Sequence, residues 1–185
     1  SDYTASRLRA SLILHLNPLH THMLPLIPLL LAAAAAPAQD MVGVSWAGTA
    51  YAIASATGSG AALGGTGYAS VNSMAKSPGG TLYAMAGYGG PNALITINPA
   101  TGAGTLVAMT TLSSVRGLAF DAAGTLYAVN DSSGTGIGLD DIYTVNSTTG
   151  AATYVGSTGW FGVQGLAWAS GKLYAWECGS GSGFG

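Results

Sequence analysis

The sequence predicts an all-β chain made of repeated four-stranded antiparallel units, and three observations carry that prediction. First, Val115–Asn130 aligns with Val71–Met85, and with Val163–Trp176 after deletion of one turn residue. Second, each of the first two copies is followed by a second element: Leu94–Ala108 matches Ile142–Gly156, and both match Ala50–Gly64. Third, the spacing is nearly constant. Tyr83, Tyr127 and Tyr174 are 44 and 47 residues apart, and Gly58, Gly102 and Gly150 are 44 and 48 apart. Repeats of roughly 40–50 residues with four short strands each are the signature of β-propeller blades.

Taken in order, residues 1–38 read as a leader, with 1–22 as an upstream extension and 23–38 as a signal peptide. The apolar stretch Leu24–Ala36 is 13 residues long, which suits an export signal and is too short to span a bilayer. Ala36-Pro37-Ala38 supplies a small-x-small cleavage pattern, placing the mature start at Gln39. The mature region 39–185 divides into blades near 44–64 (partial), 71–108, 115–156 and 163–185 (partial). It is therefore expected to be a propeller fragment of about three blades, with Gly179–Gly185 as an inter-strand loop. Its expected location is secreted, periplasmic or cell-surface.

Within each blade the strands are short and rich in aromatic and β-branched residues, as in Leu126–Val129, Ile142–Val145 and Thr153–Val155. The turns carry matching chemistry. Asp121–Gly124 joins the first two strands of its blade, while Asn98–Gly102 and Asn146–Gly150 join the last two. Pro99 suits φ near −65°, and each closing Gly suits φ > 0. Runs this short cannot build a core alone and must bury one another's faces by stacking.

Composition narrows the function. Only 6% of residues are charged, against roughly 25% in typical soluble chains. Beyond Gln39 the cations are Lys76, Arg116 and Lys172, and the anions are Asp40, Asp121, Asp131, Asp140, Asp141 and Glu177. No basic patch exists for nucleic-acid phosphates or anionic lipid. Mean hydropathy is +0.40, yet no stretch after Gln39 approaches the length of a membrane span. All three histidines (His15, His20 and His22) lie in the leader, which removes Ser-His-Asp and Cys-His chemistry from the mature region. Cys178 is the single cysteine, so no internal disulfide forms.

The pattern G-L-A-[FW]-x-x-x-G-x-L-Y-A followed by [IL]-x-T-[IV]-N-x-x-T-G-A-x-T resembles exported bacterial propeller-type repeat proteins. The resemblance covers Val71–Trp176 well and Val44–Gly64 in part. It implies blade architecture and leaves function open. The Trp-Asp and Gly-His marks of WD40 blades are missing. Six-bladed lactonases are a looser match, and that resemblance implies a divalent metal held by acidic and amide side chains at the ring centre.

Three groups of residues are candidate sites. The loop bearing Asn130, Asp131, Asp140 and Asp141 offers four oxygen ligands for Ca²⁺, and its alternative is a solvated inter-strand loop. Trp160 and Phe161 sit between blades, where they would either stack on a sugar or pack one blade on the next. Asn72, Arg116 and Gln164 occupy equivalent positions just ahead of their inner strands, at the expected channel mouth. The leading expectation is a non-enzymatic, exported binding or surface module with a protein or carbohydrate ligand and no required cofactor. The alternative is a propeller-type hydrolase or lyase. In sequence beyond Gly185, clustered His, Glu and Asp at blade-start positions would favour the enzyme.

Overall fold

The computed structural model describes residues 41–133 and 138–178. The leader and the segment after Cys178 lie outside the described residues. Thirteen antiparallel strands and no helix occur among the described residues. The first sheet contains β1 (Met41–Val44), β2 (Thr49–Ile53) and β3 (Gly60–Gly65). The second contains β4 (Val71–Lys76), β5 (Leu82–Ala86), β6 (Ala93–Ile97) and β7 (Gly104–Met109). The third contains β8 (Val115–Phe120), β9 (Leu126–Asp131), β10 (Asp140–Val145) and β11 (Ala152–Ser157), and β12 (Val163–Ala169) pairs with β13 (Lys172–Glu177) as a fourth. Each sheet is a meander in chain order, which is the blade topology of a β-propeller.

The first sheet holds one strand more than the repeat alone suggests. Met41–Val44 pairs along β2, so β1 occupies the place that β5 and β9 hold in their blades. Four residues with a central Gly give too weak a pattern for sequence reasoning to see.

Each blade is one sheet thick, so both faces of its middle strands must be covered by neighbours. Residues of β5 and β6 divide by the two-residue period of a strand. Ala84, Ala86, Ala93, Ile95 and Ile97 pack with Ala50 and Val71 on the first-blade side. Met85 and Leu94 pack with Val115, Leu118, Leu126 and Ala128 on the third-blade side. This two-sided burial is why β5 and β6 read as continuous apolar runs instead of alternating ones.

The innermost strands β4, β8 and β12 lie side by side. At Gly117 the approach is so close that a Cβ would sit 2.7 Å from the Leu166 nitrogen and 2.8 Å from the Gly165 carbonyl carbon. Aromatic pairs fill the seams further along. Tyr83 of the second blade meets Phe120 of the third, with ring centroids 5.3 Å apart. Tyr127 of the third stacks on Trp168 of the fourth at 5.9 Å and 5°.

The turns behave as their residues dictate. The Asn98 Oδ1 accepts the amides of Ala100 and Thr101, and the Asn146 Oδ1 accepts those of Thr148 and Thr149. Gly102 and Gly150 close these turns at φ 76° and 71°. A Cβ at either would also strike the preceding blade, at Ala50 and Ala108 respectively.

Gly117→Ala is expected to lower unfolding stability by about 1–3 kcal/mol through forced separation of two blades. Gly156→Ala, where no atom lies within 4 Å of the added Cβ, is expected to stay within about 0.5 kcal/mol of the parent. Urea unfolding of the two variants measures the contrast.

Candidate functional site

Antiparallel order sorts the loops onto two ends. First-to-second and third-to-fourth strand turns lie at one end, here the hairpin end. Second-to-third strand loops and the crossovers between blades lie at the other, the crossover end. Every candidate residue from the sequence falls at or near the crossover end.

A recurring device builds this end. Thr66, Thr110 and Thr158 each donate their amide to the carbonyl of the residue opening the third strand: Gly48, Asn92 and Asp140. Each Thr Oγ1 also accepts the amide two residues on, at Tyr68, Leu112 and Trp160. The crossover is thus a tight side-chain-capped turn. The side chain that opens the third strand then latches the next blade. Asn92 Oδ1 accepts the Val115 amide at 3.0 Å, and Asp140 Oδ2 accepts the Val163 amide at 2.6 Å. Both latch residues are fully buried. Sequence reasoning missed this role. The available signal was their shared place two residues before the aligned second element, with Thr-x-aromatic or Thr-x-Leu recurring behind it.

Asn72, Arg116 and Gln164 lie one residue inside β4, β8 and β12, each at a β-bulge. A bulge leaves its extra residue out of the ladder and re-aims the side chain. The three equivalent positions do different things. Asn72 donates Nδ2 to the Val115 carbonyl across the seam at 2.9 Å. Gln164 is exposed. Arg116 is 8% exposed and donates Nη2 to Asp131 Oδ2 at 2.7 Å, with Nη1 3.9 Å from Asp140 Oδ1.

The structure therefore brings Arg116, Asp131 and Asp140 together as one buried charge cluster at the inner end of the third blade. The counterparts in the second blade are Asn72, Gly87 and Asn92, all uncharged. Asp131 Oδ1 accepts the amide and hydroxyl of Ser133 at 3.0 and 2.6 Å. Asn130 Oδ1 accepts the amides of Ser113 and Ser114. The Oδ1 of Asp140 is buried and accepts no hydrogen bond. Asp141, its neighbour on β10, is half-buried and pairs with Asn130 across the β9–β10 ladder. The four oxygen-bearing residues of the Ca²⁺ expectation thus spend most of their oxygens on the protein itself. The described residues hold no cluster of three or more His, Cys, Asp or Glu arranged for a metal ion.

One guanidinium faces two carboxyls. Burial pushes the Asp140 carboxyl above its ordinary value. The Val163 amide and Arg116 pull it down, and the neighbouring Asp131 carboxylate pushes it up again. Blade closure does not require this charge, because Asn92 makes the same latch as a neutral amide.

Trp160 is 58% exposed, and its carbonyl accepts the Asp140 amide. Phe161 beside it is half-buried. Two further exposed rings, Trp46 and Tyr88, occupy loops at the same end and escaped sequence reasoning, because neither aligns with a repeated aromatic position.

The fold recurs in solved structures. A chain of a nidogen–laminin complex superposes with a TM-score of 0.54 at 15% identity, over 70% of this chain and 48% of that one. The PQQ-bound aldose sugar dehydrogenase of Streptomyces coelicolor gives 0.52 at 22% identity, over 74% and 52%. At these identities the likeness shows the β-propeller-type repeat fold alone. The chain spans about half the length of those propellers. No family model matches the chain, and no curated protein matches it in sequence.

Asp140→Asn is expected to raise stability at neutral pH while keeping the Val163 latch. A carboxyl whose native pKa lies above its unfolded value near 3.8 contributes stability below that value and loses it as pH rises through the native pKa. The melting-temperature gap between variant and parent should therefore widen upward from pH 4. Arg116→Ala, which leaves buried carboxylates without their cation, should instead cost about 3–5 kcal/mol at pH 7.

Proposed function

We propose that this chain is an exported, non-enzymatic binding or surface module that meets its ligand with the crossover end. One observation carries the reading. All aromatic residues in the described loops lie at that end: Trp46, Tyr68, Tyr88, Trp160 and Phe161. The hairpin-end loops are built from small and polar residues with no aromatic ring. Tyr68 packs against the core between the first two blades, but Trp46, Tyr88 and Trp160 are each at least half exposed, which fold stability alone does not explain. Exposed rings supply flat contact area at low entropic cost.

The charged residues at this end support binding over catalysis. Arg116 and Asp131 are buried against each other, and Asp140 is committed to the next blade. The apolar run Leu24–Ala36 with Ala36-Pro37-Ala38 supports export. The alternative, a propeller-type hydrolase or lyase, draws on Asp140 alone, whose raised carboxyl would suit an acid–base role if a ligand reached it.

Co-sedimentation with envelope polysaccharide and envelope protein fractions from the producing cells tests the binding reading. The parent should sediment with at least one fraction. The triple variant Trp46→Ala, Tyr88→Ala, Trp160→Ala should bind at least tenfold more weakly. The hairpin-end pair Thr148→Ala, Lys172→Ala should bind like the parent. Equal binding by all three proteins would remove the crossover end as the ligand face.

A further inference from the structure

We infer that Trp46 and Tyr88 form a preorganised corner that stacks a neutral carbohydrate, a deepening that rests on the crossover end being the ligand face. The two rings come from different blades, on the β1–β2 loop and the β5–β6 loop. Their centroids are 5.7 Å apart with planes at 66°, so one ring presents its edge to the other. Trp46 is 53% exposed and Tyr88 50%, which leaves much of each ring in solvent.

The corner is the place where the repeat departs from its own rule. Blades two and three latch the next inner strand with a side chain at 92 or 140. Blade one has Gly48 there, at φ 84°, and a Cβ would collide with the Tyr68 carbonyl. One backbone bond stands in, from the Ser70 amide to the Trp46 carbonyl at 2.8 Å; the Ser70 carbonyl also accepts the Gly87 amide at 3.0 Å, as Ser114 and Gly162 accept Asp131 and Cys178 in the next blades. Ser70 thereby ties together the two loops that carry the rings. It does so at φ 53°, a left-handed conformation that a serine seldom adopts. Such outliers persist where the surroundings over-determine them, and they cluster at ligand clamps. A third tie, from the Gly89 amide to the Ser113 carbonyl, fixes the far side of Tyr88.

The chemistry around the rings selects the ligand class. The flanking loops contain Gly, Ala, Ser, Thr and Pro, with no charged side chain in 45–48, 66–70 or 87–91. Protein-binding hot spots combine aromatic anchors with Arg inside a wider apolar core. Here two rings stand in a surround of small, uncharged residues that include Ser and Thr. Flat apolar faces beside neutral hydrogen-bonding groups fit a pyranose, which has one C–H face and a rim of hydroxyls.

Affinity electrophoresis through gels containing hydroxyethyl cellulose, laminarin or galactomannan tests the corner. A hexasaccharide of any retarding polymer is then titrated against tryptophan fluorescence. At least one polymer should retard the parent. Trp46→Ala and Tyr88→Ala should each weaken hexasaccharide binding at least tenfold, while the hairpin-end variant Thr148→Ala stays within twofold. If Trp46→Ala lowers the melting temperature, Tyr88→Leu carries the test, since it keeps apolar bulk and removes the flat ring. Retardation by none of the polymers overturns the carbohydrate assignment. Undiminished hexasaccharide binding in the corner variants overturns the corner. Loss on Trp160→Ala alone moves the site along the crossover end, and capture of an envelope protein there without any glycan keeps the ligand face but not the sugar.

Discussion

The structure depends on one constraint: a single sheet has two faces and can bury neither by itself. Every other feature follows from answering it by stacking. The middle strands of the second blade are apolar on both sides because neighbours sit on both sides. The inner strands carry small residues because backbones must pass within van der Waals reach, as Gly117 does against Gly165 and Leu166. The hydrophobic gain is thus held at the seams between repeats.

Seams need direction as well as area, and polar side chains supply it. Apolar contact tolerates sliding, whereas a buried amide must find its acceptor. Asn92 and Asp140 place such an acceptor opposite the first amide of the following inner strand. Asn72 adds a donor in the opposite sense, to the carbonyl of the same Val115. The charged cluster of the third blade is built on this frame. An amide at the latch position becomes a carboxyl, and Arg116 and Asp131 occupy the bulge and strand end beside it.

Much of the fold was legible in the sequence because its signals are local and repeated. The Leu-Tyr-Ala strands, the Asn-x-x-Thr-Gly turns and the constant spacing each report short-range chemistry that recurs, and the all-β fold of four-stranded antiparallel sheets they predict is the one observed. The candidate site was less legible. Arg116 was visible as a lone cation at a repeated position, but its pairing with Asp131 depends on a bulge, which leaves no mark in residue type. The latch role of Asn92 and Asp140 is a contact between blades, absent from any single repeat. Trp46 and Tyr88 were hidden for the opposite reason: alignment of repeats rewards what recurs, and these two do not.

The seams are also not interchangeable. The place of Tyr83 and Tyr127 is taken by Val42 in the first blade, and the place of Phe120 and Trp168 by Lys76 in the second. The equivalent positions at the first joint therefore hold a valine and a lysine, while ring faces ring at the next two. Excising one module during recombination would bring a valine against Phe120 and leave a hole where a phenol belongs. Duplicating the second would set a tyrosine against a lysine. The array thus carries its own assembly order in its joints, and drift in one copy is held in check by the neighbour that must still fit it.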